Sequence, residues 1–239
     1  MAFDQTRLNF VAALVVLLAS AASAQTPQPR KPPNPAPPQL RAVYPSNTPE
    51  TVPSEAGEGE IVAGFRSAKF GMNEPEVRQA IMRDFGVKAD AIRAEDNSAE
   101  QTHVLIITVT DLLQGGGKAA LSYVFGYKTK TLIQVGAIWS KATDDNMTPD
   151  RLFSNANILR AHFVQAGYRP ETIATNAQVA NGILMFRGSD AKDHTTMLLL
   201  QGTMETRDNQ RVLTPNALLL FYVADAKSPD IFRLPPGQF

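Results

Sequence analysis

The stretch FGMNEPEVRQAIMRDFG, residues 70–86, reads as a complete helix with both ends marked. Asn73 is placed to cap the first turn, Glu76 three residues on completes a capping-box pattern, and Pro75 fits the first turn. Met72 and Val77 fall at the two positions of a hydrophobic staple. Val77, Ala80, Ile81 and Phe85 form one apolar stripe, and Gly86 supplies the stop. A second stretch, NMTPDRLFSNANILRAHFVQAGY at residues 146–168, repeats the plan. Thr148 is its cap, Pro149 its first helical residue and Met147 with Leu152 its staple. Leu152, Ala156, Leu159 and Phe163 are its stripe, and Gly167 closes it.

Outward from each helix the period changes from helical to strand-like. THVLIITVTDL (102–112), KAALSYVFGYK (118–128) and TLIQVGAIWS (131–140) follow the first helix. NGILMFRGSD (181–190), TTMLLLQGTM (195–204) and NALLLFYVAD (216–225) follow the second. Glycines 115 to 117 and the residues Lys128, Thr129 and Lys130 provide the first connections. The expectation is an α+β fold in which helices cover one face of an antiparallel sheet, built as a tandem repeat of one helix plus three strands. The halves are expected at 61–141, opened by a short strand over 61–65, and at 142–239. The second half ends in a tail docked by Ile231 and Phe232, whose Pro235 and Pro236 exclude a closing strand and with it the barrel reading of the terminal Phe239.

Upstream of residue 61 the composition is that of export and spacing. Arg7 precedes an apolar run at 10–18, followed by small residues ending in Ala22, Ser23 and Ala24. The run is too short to span a bilayer and reads as a signal peptide, residues 1–24, cleaved after Ala24. Residues 25–60 hold ten of the seventeen prolines and almost no bulky apolar side chain, the composition of a disordered, extended tether. The chain has no cysteine, so burial alone must hold an exported domain together, in the periplasm or outside the cell. Acidic and basic side chains balance at 23 each, which supplies no field for nucleic acid or an anionic membrane surface, and the expectation of no stable membrane insertion after cleavage rests on the lack of another long apolar window.

Residues that carry chemistry are sparse. The GGGK run at 115–118 lacks the earlier glycine and the following Ser or Thr of a phosphate loop, since Leu112 and Ala119 stand there. No nucleophile elbow occurs, no catalytic residue is assigned, and no cofactor is expected. Of the three histidines, His103 opens a strand and His162 lies on a helix. Only His194 has carboxylates beside it, Asp190 and Asp193, which makes these three the alternative site for a metal, in a hydrolase or a metal-assisted enzyme. Leu121, Tyr123, Phe125 and Tyr127 alternate on one strand, and Ile133, Val135, Ala137 and Trp139 on the next. This is the pattern of a sheet's buried side, or of an aromatic platform whose partner-binding members are Tyr123, Tyr127 and Trp139.

The first helix, through Gly71, Met72, Asn73, Glu74, Val77, Ile81 and Gly86, resembles the opening helix of BamE/SmpA-like and β-lactamase-inhibitor-like periplasmic α+β domains. The resemblance covers residues 65–140, with an echo at 147–224, and implies a non-enzymatic protein-binding or envelope-assembly module. The acylated cysteine of the assembly lipoproteins is missing here, and a proline tether stands in its place. The functional expectation is an exported, non-catalytic module for an envelope protein or wall component. The alternatives are the enzyme at Asp190, Asp193 and His194 and a binder of a small apolar ligand.

Overall fold

The computed structural model describes residues 62–207, 210–234 and 237; the expected signal peptide and tether lie outside them. Two short strands, β1 (Gly64–Phe65) and β2 (Ala68–Lys69), form a hairpin before helix α1 (Glu74–Phe85). Four strands follow: β3 (Arg93–Asn97), β4 (Thr102–Val109), β5 (Ala119–Phe125) and β6 (Leu132–Ser140). Helix α2 (Pro149–Val164) then leads to β7 (Ala177–Val179), β8 (Gly182–Ser189), β9 (Thr195–Arg207) and β10 (Gln210–Val223). The last eight strands form one antiparallel sheet in the order β3-β4-β5-β6-β10-β9-β8-β7. The fold is α+β and mostly sheet.

Local chemistry sets both helix starts. In α1 the Asn73 Oδ1 accepts from the Glu76 backbone N–H at 3.1 Å, while Glu76 Oε2 accepts from the Asn73 N–H at 2.8 Å, so two otherwise unpaired donors are satisfied reciprocally. Gly86 ends the helix in the left-handed region at φ 63°, and its N–H bonds Met82 O. In α2 the Thr148 hydroxyl accepts from Arg151 N–H at 3.2 Å. That helix stops at Val164 with Gln165 as its cap, two residues short of the expected stop at Gly167, which turns the chain just beyond it at φ 80°.

Where three strands were expected after each helix, there are four. The additional ones, β3 and β7, are the outermost strands of the sheet. RAEDN and AQV carry no apolar alternation, because an edge strand can be held by its ladder bonds with its side chains in water. The two halves of the sheet meet at β6 and β10, registered from Ala217↔Ser140 to Val223↔Gln134.

One core takes in Val77, Ala80 and Ile81 of α1 together with Leu152, Ala156 and Phe163 of α2. It also holds Leu105, Ile107, Leu121, Phe125, Leu198, Leu200, Leu218 and Leu220 from the strands. The residues between those strand positions are buried too. Met197, Leu199, Leu219, Phe221 and Val223 form a second cluster, and Val104, Ile106 and Val124 a third. Burial on both faces explains the unbroken leucine runs at 198–200 and 218–220, which a half-exposed sheet would not need. Gly136 serves this second face: a Cβ there would sit 2.8 Å from Ser122 Oγ and 3.2 Å from the Phe221 ring.

Candidate functional site

The aromatic positions do not make a platform. Tyr123 and Trp139 are 0% and 1% exposed and belong to the main core, because their strand positions alternate with the register that points at that core. Among the described residues neither the Tyr123 hydroxyl nor Trp139 Nε1 has a hydrogen-bond partner. Burial, reinforced by Asp84 and opposed by Arg66, pushes the Tyr123 hydroxyl well above its ordinary range. Tyr127 stands apart from them at the end of β5. Its ring meets Phe232 edge-on at 5.5 Å, and the Lys130 ammonium lies 5.4 Å from its centroid.

Asp190, Asp193 and His194 lie in the loop between β8 and β9, but only two of them face one another. Asp190, 2% exposed, accepts hydrogen bonds from the backbone N–H groups of Val62, Lys192 and His194 at 3.0, 2.8 and 2.9 Å. It therefore organises its own loop and ties it to the start of the described chain. His194 Nδ1 is 3.2 Å from Asp190 Oδ2 yet makes no aligned hydrogen bond. Asp193 turns to Arg169 and Lys227, and the hydrogen bonds from Lys227 and Arg169 hold its carboxyl below the usual range. Among the described residues no group of three or more His, Asp or Glu side chains is arranged to hold a metal ion. His103 meets other carboxylates: its Nδ1 is 2.6 Å from Asp96 Oδ1 and its Nε2 3.5 Å from Glu74 Oε2.

The GGGK loop is likewise occupied by the protein itself. Lys118 N–H donates to Asp144 Oδ2 at 3.0 Å, and Asn155 Nδ2 donates to Gly116 O at 2.9 Å. The backbone donors of Lys118 and Asn146 hold the Asp144 carboxyl below its usual range. Gly117 is required by this approach, since at φ 82° a Cβ would stand 2.8 Å from Asp144 Oδ2. The loop fastens the first half of the chain to Asp144, before α2, and to Asn155 within it.

A different place combines a cavity with an unusual acid. After β10 the chain runs back over the sheet. Asp225 Oδ1 accepts from the N–H groups of Lys227 and Ser228, and the Asp230 carboxylate accepts from Lys128 N–H, Thr129 N–H and the Thr129 hydroxyl. Tyr127 N–H bonds Asp230 O and Phe232 N–H bonds Glu100 O. Beside this strap lies a cleft of about 230 Å³ lined by Val124, Ile133 and Val223 of the sheet, by Pro229 and Ile231 of the strap, and by Glu100. Burial pushes the Glu100 carboxyl up to about 7, against a weaker downward pull from Arg233. Its one hydrogen bond to a side chain comes from Asn97 Nδ2 at 3.3 Å. Burial works against the Asp230 charge as well, but the donors of Thr129 and Lys128 outweigh it and hold that carboxyl low.

Nothing in the local sequence marks Glu100. It stands in the polar run EDNSAEQ, and much of its environment is made by distant residues, from Val124 and Ile133 to the segment 223–233, more than a hundred positions away. A carboxyl displaced toward neutrality inside an apolar cleft is the arrangement from which ligand recognition or proton exchange is built. No helix among the described residues is long and apolar enough to cross a membrane. No family model, no curated protein and no solved structure matches the chain.

Proposed function

We propose that this chain is an exported, non-catalytic protein-binding module of the cell envelope, and that it meets an envelope protein or wall component through the ribbon formed by β9 and β10. The observation that carries this reading is the length of those two strands. β9 pairs with β8 only up to Gln201, and β10 pairs with β6 only from Ala217 onward. Residues 202–207 and 210–215 therefore pair with each other and, among the described residues, with no other strand. A two-stranded ribbon is marginal by itself, and its open edges are a template for an added strand. Pro215 and the register shift next to it blunt the β10 edge, so the partner segment adds to β9 beyond Gly202. Val212, 38% exposed, lies on the ribbon opposite Glu205 and gives that strand an apolar contact.

The module is a repeat in this reading. Each half runs helix, short 3₁₀ turn and four-strand meander, with a staple and a proline at each helix start, and the halves join through their last strands. The shared core of both helices with alternate strand residues supports the picture of helices covering one face, which leaves strand ends and ribbon for recognition.

Crosslinking in intact envelopes tests the proposal. The full chain should capture a defined partner, and a variant in which residues 203–214 are replaced by a tight turn should lose it while melting at the same temperature. Recovery of the chain alone under every condition, or equal capture without the ribbon, overturns it. Export has its own measurement: the mature protein should begin at Gln25.

A further inference from the structure

We infer that the cleft under the C-terminal strap is a binding site for a small aliphatic ammonium compound, its cationic head at Glu100 and its apolar body between Val124, Ile133, Val223 and Ile231. This stands apart from the ribbon and does not depend on it.

The lining sets the ligand's chemistry. Besides its apolar residues the lining includes Gln134, Ser228 and three acidic residues, Glu100, Asp225 and Asp230, and neither Lys nor Arg is among the lining residues. Asp225 and Asp230 are already filled by backbone N–H groups of the strap and of the 126–131 turn. Glu100 is not. It is only 8% exposed, accepts a single long side-chain bond from Asn97, and is displaced toward neutrality by burial. An ammonium group carries the three donors and the positive charge that this carboxyl lacks, whereas an anion would meet three carboxyls. The size points the same way, since about 230 Å³ lies below the ordinary range for drug-sized ligands and suits a short alkyl chain.

The strap also sets access. It is fastened at Asp225, at Asp230 and at Phe232, so the cleft is bounded from both sides by bonded backbone rather than by loose chain. The charges facing Glu100 include Arg233 on the strap, which favours ionisation. Lys128 and Lys227 belong to the turns held by Asp230 and Asp225.

Calorimetric titration of the full chain with n-butylammonium, and with n-butanol as the uncharged analogue, tests the site. The amine should bind at least about tenfold tighter than the alcohol, the size of one charge-assisted hydrogen bond. At pH 6 it should release protons, measured in buffers of different ionisation enthalpy, because Glu100 gives up its proton to receive the cation. At pH 8 the release should vanish. Glu100→Gln should remove the amine's advantage and the proton release together while leaving the alcohol's affinity unchanged. Ile231→Trp, which fills the cleft with Glu100 intact, should abolish both ligands. Equal binding of amine and alcohol, wild-type amine affinity in Glu100→Gln, or no binding by either ligand overturns the assignment.

Discussion

Asp190 and Glu100 are both withdrawn from water, at 2% and 8% exposure, and their surroundings treat them in opposite ways. Asp190 sits where three backbone N–H groups converge, so its charge is solvated by the protein in place of water. Glu100 lines the same cleft as Val124, Ile133 and the strap, with a single side-chain donor at 3.3 Å among the described residues, and burial raises its pKa to about 7. Depth alone does not separate them. The donor count does, and it turns one carboxylate into a structural staple and leaves the other available to a ligand.

The sharpest way to break this contrast is to remove the staple. Asp190→Ala strands the donors of Val62, Lys192 and His194, the first of them buried, and should cost about 3 kcal/mol in chemical denaturation. Asp190→Asn, which keeps one carbonyl oxygen, should recover part of the loss. An indifferent Asp190→Ala would mean that the loop holds itself and that the donor count explains nothing. Asp230 is the intermediate case, with as many donors in a more exposed setting. Asp230→Ala should cost about 1 to 2 kcal/mol and open the strap, seen as faster proteolysis after residue 224.

The same contrast shows what the sequence could and could not disclose. Both helices were legible because caps, prolines, staples and stripes are local devices, and Asn73 with Glu76 forms the box that its spacing announces. The six long strands were legible from their apolar runs. β3 and β7 were not, since RAEDN and AQV pair along the sheet edges without an apolar alternation and leave no periodic trace. Alternation along β5 and β6 identified a shared face, except that the register shift at Phe125 puts Ile133 with Val124 in another cluster, but not whether that face met solvent or core; Tyr123 and Trp139 proved to be core. The cleft was invisible for a further reason. Glu100 is unusual because it is buried, and the residues of the cleft around it include several from 223–231, while Phe232 N–H bonds its carbonyl; contacts at such separation have no signature in composition or spacing.

A smaller effect, on pH dependence, sharpens the Glu100 side. Its folded pKa, about 7, lies above the ordinary 4.5, so the folded state holds a proton that the unfolded state releases. Its contribution to stability is complete below pH 4.5 and is lost as pH rises from there through 7. The loss should be on the order of 1 kcal/mol, because water reaching the cleft screens the charge. Glu100→Gln should flatten this part of the stability profile in melts between pH 4.5 and 8. An unchanged slope would show that Glu100 is solvated like Asp190.

The smallest effect belongs to His194, the residue on which a metal or hydrolytic site in the 190–194 loop depends. Its backbone N–H is one of the donors to Asp190, and alanine keeps that donor. The imidazole adds an edge contact to Phe70 at 5.2 Å and an unaligned approach to Asp190 at 3.2 Å. Losing both should cost about 0.5 to 1 kcal/mol, far less than losing the carboxylate beside it. His194→Ala should also leave the metal content of the purified protein unchanged, because Asp193 is committed to Arg169 and Lys227 and Asp190 to backbone donors. A His194→Ala variant that loses a stoichiometric metal, or that falls in stability as far as Asp190→Ala, would reverse the reading of this loop: the backbone donors would then be secondary, and the imidazole–carboxylate pair would be the reason the loop has its shape.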